Sequence, residues 1–534
     1  MEGGPCTLCL ELDEFDREYQ ATLASLTKRR RDILKRINQR HDPFIQHLPL
    51  ELASKVFAFC LPQQVFDSDP VKISLFWDAS KGSNITPFNI VLGSICQSWR
   101  RIAWSTPDLW STLPIRLHRW YESTRVDLTL EWLSRSSQIP LDVAIAYDST
   151  EILTEENIGL WKPLIDIVNS CSSRWRTFIM DVPQLVHSYI VGNGEPTSIL
   201  ERLKIGPANS FRRCATGFSL ANARPMPSQL VSGSVPLRLI DIGWSNLTTV
   251  RLDGLYINEC LDLLKCAPQL VTFQIDRLGS GKGTVLPALV MTTHNTLKIL
   301  DISGLDREST AQQLLDFLTL PSLVKLLYDS YLNSLQNVLA FLQRSGCSLT
   351  DLYIVGYHSD HFSEITMVPS LQALEGLGYH GDPTHCLLCL NRPKNRDDSP
   401  IFLPNLHKLI IRSDGPRGLS GLADLFLTRP MRTLSIHYTY PIDEWVDKKT
   451  ALRFQDLVKK GHDITIMGLL KGETGEERDQ VAPVDYRSFD VRNNDNSLGP
   501  SLSSLANHIG HGGLKPAVVD LRSRISSFKY IGYV

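Results

Sequence analysis

NLTTVRLDG (Asn246–Gly254), QLVTFQID (Gln269–Asp276), TLKILDISG (Thr296–Gly304) and SLVKLLYDS (Ser322–Ser330) are successive copies of one pattern. SLTDLYIVG at Leu349, SLQALEGLG at Leu371 and NLHKLIIRS at Leu406 continue it, and MRTLSIHY near Leu434 is a weaker copy. Each is a leucine followed by a short alternating apolar run, the period-two mark of a strand. Between them, CLDLLKCAP, QQLLDFLTLPS, VLAFLQRSG and LADLFLTRP carry apolar residues at helical spacing. A unit with one apolar strand face and one apolar helix face cannot bury both alone, whereas stacked neighbours can.

Most steps between copies fall in the range of roughly 20–29 residues that marks leucine-rich repeats. The stretch 237–468 is therefore expected to be an α/β solenoid with a curved parallel sheet inside and helices outside. A doubly wound sheet would need longer helices. The long step from Leu371 to Leu406 reads as an inserted loop rich in Pro, Asn, Arg and Asp. Upstream, 116–236 reads as irregular early repeats. It holds a helix over about Leu128–Ser136, an alternating strand through Leu141, Val143 and Ile145, and strands around Phe178 and Leu203. Downstream, 469–534 is polar, aperiodic and rich in Gly, Asn and Asp, which suits a mostly disordered tail.

Ahead of the repeats stand FIQHLPLELASKVFAFCLP (Phe44–Pro62) and VLGSICQSWRRIAWSTPDLWSTLPI (Val91–Ile115). In the first, Leu48-Pro49 opens a helix that Pro62 ends. In the second, Leu92, Ile95, Cys96, Trp99, Ile102 and Ala103 form another apolar helical face, followed by Pro107, Leu109 and Trp110. Through Leu48-Pro49, Glu51-Leu52, Val56-Phe57, Cys96, Trp99-Arg100 and Leu109-Trp110, the stretch 44–115 resembles the F-box. CQSWRRIAWSTPDLWSTL is similar to the large F-box family of mushroom-forming fungi, in which a leucine-rich array follows. The segment 63–86, containing SDP and KGSN, is read as a loop insertion within this module. The resemblance implies a non-catalytic substrate receptor of a Skp-cullin-F-box ubiquitin ligase. Its Skp-like adaptor would dock on Leu48, Pro49, Leu50, Glu51, Leu52, Val56, Phe57, Leu61, Leu92, Ile95, Cys96, Trp99, Ile102 and Trp110, and the repeats would hold a protein target. A leucine-rich scaffold that kept the module for packing alone is the competing reading.

In 1–43, Leu8, Leu12, Phe15, Tyr19, Leu23, Leu26, Ile33 and Ile37 recur every three or four residues among charged neighbours. This is an amphipathic helix whose stripe leaves a strict heptad at Thr22 and Arg29, so it packs on the module or pairs with itself. Lys28-Arg29-Arg30-Arg31 is read as a solvated face rather than a nuclear address.

The chain has 534 residues, too many for one compact core. A formal charge of −2 gives no electrostatic reason to expect nucleic acid or a membrane as partner. No stretch approaches the apolar length of a membrane span, and the first residues lack the basic-then-apolar order of a secretory signal, so the expected setting is cytoplasmic or nuclear. The eleven cysteines show no regular framework. LGSGKGT (Leu278–Thr284) is similar to adenylate-kinase-like phosphate loops. Asp276, however, stands where the first glycine belongs, so a nucleotide-binding protein is the third and weakest reading. His385-Cys386 and Cys389 could hold a structural zinc if His380 completed the set, whereas Cys6 with Cys9 have no second pair nearby; ordinary thiols are the favoured reading, and no cofactor or metal is expected. Nothing converges as a catalytic constellation. Cys60, Cys96, Cys260 and Cys266 read as core thiols.

Overall fold

A computed structural model describes residues 6–41, 48–61, 88–117, 123–147, 155–196, 198–206, 216–233, 235–279, 290–303, 310–329, 336–355, 371, 373–380, 383–390, 403–413, 419–441, 448–469 and 481–483. The expected insertion 63–86 and most of the expected tail lie outside them. The chain is α/β and divides into two compact units, Met1–Ala144 and Ile145–Val534.

The first unit opens with α1 (Thr7–His41), a single helix of 35 residues. Then come α2 (Leu50–Phe59), α3 (Phe88–Ile95) and α4 (Gln97–Trp104), a 3-10 turn at Pro107–Trp110, β1 (Thr112–Leu117) and α5 (Ser123–Arg135). β2 (Leu141–Tyr147) crosses the boundary between the units. Cys96, in extended backbone, separates α3 from α4, and its Sγ caps α4 by accepting from the Trp99 N–H at 3.4 Å. α3 and α4 approach closely at Gly93, where a Cβ would fall inside the Trp104 ring. The core of this unit is Ala53, Phe57, Leu92, Ile102, Ala103, Leu109 and Trp110. The Trp110 ring meets Trp104 and Trp132 edge-on at 5.3 and 4.9 Å between centroids, and Arg135 lies over Trp104 and Trp110. Contrary to the alternation expected of β2, Asp142 and Ala144 are as buried as Leu141, Val143 and Ile145. Both faces of this strand are covered.

The second unit contains α6 (Glu155–Ser170), β3 (Trp175–Asp181), β4 (Arg202–Ile205), β5 (Gln229–Gly233), β6 (Thr249–Tyr256), α7 (Ile257–Cys266), β7 (Thr272–Gly279), β8 (Thr292–Thr293) and β9 (Ile299–Ser303). After these come α8 (Thr310–Asp316), β10 (Leu318–Thr319), β11 (Lys325–Asp329), α9 (Gln336–Ser345), β12 (Asp351–Val355), β13 (Gly376–His380) and α10 (Pro383–Leu390). The unit closes with β14 (Lys408–Ser413), α11 (Leu419–Thr428), β15 (Thr433–Pro441), α12 (Lys448–Lys459), β16 (Asp463–Leu469) and β17 (Val481–Pro483). From β3 to β16 the main sheet is parallel and follows chain order, with β8 and β10 set apart as a small parallel pair.

Register explains the order. Phe178, Leu203, Leu230, Val250, Phe273, Leu300, Leu326, Leu352, Leu377, Leu409, Leu434 and Ile464 are successive register partners, and all are buried. Three residues before seven of these positions, Leu247, Leu270, Leu297, Leu323, Leu349, Leu374 and Leu406 form a second buried row, which Met431 ends. Each buried leucine contributes about 1.5–3 kcal/mol of apolar transfer, and the shared register lines these side chains up in continuous rows across the sheet. The backbone is continuous as well. Amide N–H groups of Val271, Lys298, Val324, Thr350, Glu375, His407, Arg432 and Asp463 each donate to the corresponding carbonyl of the preceding copy, at 2.8 to 3.0 Å.

Several expectations are corrected. The slot assigned to Leu371 belongs to Leu374; Leu371 sits one turn earlier, where Leu403 and Leu320 sit in their copies. The inserted loop between Leu371 and Leu406 contains the helical return α10. Within the tail, Val481–Pro483 pairs antiparallel with β16, occupying a sheet edge that would otherwise stay open. Cys60 and Cys266 are exposed at helix ends, Cys96 is a half-buried cap, and of those four only Cys260 is core.

Candidate functional site

α2 carries two apolar stripes. Ala53 and Phe57 point into the unit, and the Phe57 ring lies 4.8 Å from Trp99. Leu52, Val56 and Phe59, at the i, i+4, i+7 spacing of one helical side, point out. Phe59 keeps 75% of its surface exposed and Leu52 keeps 47%. Leu50 on α2, and Val91 and Ile95 on α3, are exposed as well. Scattered single leucines on a surface need no explanation, whereas a row with the spacing of one helix side does. Thr106 bonds Ser54 at 3.0 Å and the Ile102 carbonyl at 2.7 Å, tying α2 to the end of α4.

The sequence-derived adaptor set separates by burial. Pro49, Leu50, Glu51, Leu52, Val56 and Ile95 are exposed, while Leu48, Leu61, Cys96 and Trp99 are half-buried. Phe57, Leu92, Ile102 and Trp110 are at most 4% exposed, so they are corrected from contact residues to packing residues. The Trp110 indole donates to the Ala103 carbonyl at 2.8 Å, and Trp132 donates to the Trp110 carbonyl at 3.0 Å. Phe59 and Val91 were missing from the set. Helical spacing from Leu52 and Ile95 finds both.

In the second unit, the sheet presents another face. Arg251, Gln274, Asp301, Leu327, Tyr353, Gly378, Ile410 and Ser435 are register partners on consecutive strands. All but Gly378 are half-buried. Arg251 pairs with Asp276 at 2.8 Å, and Arg277 pairs with Asp253. Thus Asp276, the residue standing in the first phosphate-loop position, lies on β7 with its carboxylate held by Arg251 and by Gln274 at 3.0 Å. Ser280–Thr284 lie outside the described residues. Tyr353 lies across Gly378, where a Cβ would overlap its ring, and Arg412 is 5.9 Å above that ring. Gly378→Ala should therefore expel Tyr353 from the sheet, read as an increase in tyrosine fluorescence quenching by iodide. An unchanged accessibility would show that the ring has somewhere else to pack.

His437 on β15 has Ser435 Oγ 3.0 Å from its Nε2. Burial first, then the Arg412 guanidinium, pulls its pKa from 6.5 down to about 4. Because the folded value lies below the unfolded one, this neutral imidazole supports folding fully above pH 6.5 and loses that contribution as pH falls towards about 4. Protection factors along β15, taken relative to the intrinsic exchange rate at each pH, should fall as pH drops across that window, and His437→Gln should flatten the dependence. Identical pH slopes in the two proteins would refute the assignment.

Among the described residues no group of three or more His, Cys, Asp or Glu could hold a metal ion. The side chains of His385, Cys386 and Cys389 lie outside them, although all three positions are on α10. No described helix is long and apolar enough to cross a membrane. No protein-family model matches the chain, and no curated protein matches it.

Proposed function

We propose that this chain is the substrate-recognition subunit of a Skp-cullin-F-box type ubiquitin ligase, with no catalytic step of its own. The observation that carries the reading is the outward row Leu52, Val56 and Phe59, with Leu50, Val91 and Ile95 also exposed, on a module whose inward side is already packed. A helix with an apolar side left in water is stabilised by a partner that covers it. The proposed partner is a Skp-like adaptor, and Pro49 and Glu51 would lie at the rim of the contact. Later in the chain, the in-register leucine rows support a leucine-rich-repeat array, whose half-buried sheet face from Arg251 to Ser435 would meet a protein target. Two interfaces on one chain raise the concentration of target beside the ligase's charged conjugating enzyme, and that proximity is the whole mechanism.

Co-expression of the full chain with a Skp-like adaptor tests the reading. Stoichiometric co-purification is expected. A monodisperse chain that leaves the adaptor behind would favour the scaffold reading, in which the module serves packing alone.

A further inference from the structure

Among the described residues, nothing covers the apolar side of α1. Leu8, Leu12, Phe15, Tyr19, Leu23, Leu26, Ile33 and Ile37 are 40% to 73% exposed, so of the two arrangements expected for this helix, packing on the described part of the module is not seen. Their spacing averages close to the 3.6 residues of a straight helix, which keeps all eight within an arc of about 80°. Arg30 is the one charged residue in that row.

Charge along the helix is divided in two. Glu11, Asp13, Glu14, Asp16 and Glu18 make the first half acidic, while Lys28, Arg29, Arg30, Arg31, Lys35 and Arg36 make the second half basic. On the helical wheel Glu11 and Glu18 flank the row on the same side as Arg29 and Arg36. In an antiparallel pair of helices, a given flank of one meets the same flank of the other. That arrangement sets Glu11 against Arg36 and Glu18 against Arg29, twice over, and brings Leu8 opposite Ile37 and Leu12 opposite Ile33. Arg30 then falls opposite Phe15, beside the acidic half. A parallel pair would place acid against acid, base against base, and Arg30 against Arg30 in the seam.

We infer that α1 is the dimerisation element of this protein and that it takes a second copy of itself, antiparallel. The inference is independent of the ligase reading. Its consequence is a particle with two copies of the exposed α2 row and two sheets.

Sedimentation of the full chain should give twice 60.1 kDa. The dimer dissociation constant should rise about tenfold from low to high salt, because exposed ion pairs flank the seam. Glu11→Lys with Glu18→Lys should give monomer, and so should Arg29→Glu with Arg36→Glu, while mixing the two variants restores the dimer. In a Cys6→Ser, Cys9→Ser background, a mixture of Leu12→Cys and Ile33→Cys chains should become disulfide-linked, and neither should link to itself. These substitutions lie on an exposed helix, and unchanged circular dichroism excludes misfolding. A mass of 60.1 kDa for the wild type, a dimer indifferent to the charge reversals, or self-linking by Leu12→Cys would each overturn the inference.

Discussion

Leu52→Asp combined with Val56→Asp should abolish capture of a Skp-like adaptor, lowering affinity at least a hundredfold, while leaving the thermal unfolding of the chain unchanged. Both side chains point away from the Ala53–Phe57 core, so in the free protein the new carboxylates stay hydrated. Exposed substitutions of this kind usually change stability by no more than about 0.5 kcal/mol. Under a bound partner the same carboxylates would lose water without gaining a counter-charge, a cost of at least about 3 kcal/mol for the pair and hence more than two decades in affinity. Pull-down and scanning calorimetry on one preparation separate the two effects. Retained capture would move the interface off this face; loss of both capture and the unfolding transition would show that Leu52 and Val56 support the fold.

Trp110→Ala should do the opposite, unfolding the module before any partner is involved. The indole is 1% exposed, donates to the Ala103 carbonyl, and is enclosed by Trp104, Trp132 and Arg135. Removing it opens a large cavity and strands a carbonyl, at about 3–5 kcal/mol for the truncation. That is a large fraction of a typical domain's net stability. Denaturant unfolding followed by tryptophan fluorescence should lose its first transition, and Trp110→Phe, which refills most of the volume, should restore part of it. A Trp110→Ala protein as stable as wild type would mean that the aromatic cluster is not what holds α2 to α4.

The buried rows of the parallel sheet are legible because their signal is redundant. A leucine three residues before a buried strand residue recurs copy after copy, from Leu247 and Val250 to Leu406 and Leu409. Redundancy also explains the misassigned Leu371: Leu371, Leu374 and Leu377 share that three-residue spacing, so spacing alone cannot say which one occupies the buried row. α6 and α12 went unread, although Ile158, Trp161, Leu164, Ile165 and Val168 mark the buried side of α6. The candidate site was only half legible for a related reason. α2 is apolar on two sides, and periodicity finds both without telling which looks inward. Burial against Trp99, Ile102 and Trp110 decided it, and those contacts come from residues some fifty positions away, whose approach no local pattern encodes. Hence the expected contact set includes Phe57, Leu92, Ile102 and Trp110 and leaves out Phe59 and Val91.

The account turns on whether the outward side of α2 and α3 is where a Skp-like adaptor sits. Hydrogen–deuterium exchange of the full chain, with and without purified adaptor, reads this directly. Slowed exchange is expected over Leu50–Phe59 and Phe88–Ile95, with the sheet from β3 to β16 unaffected. Adaptor bound elsewhere, or an exchange map identical with and without it, would contradict the account.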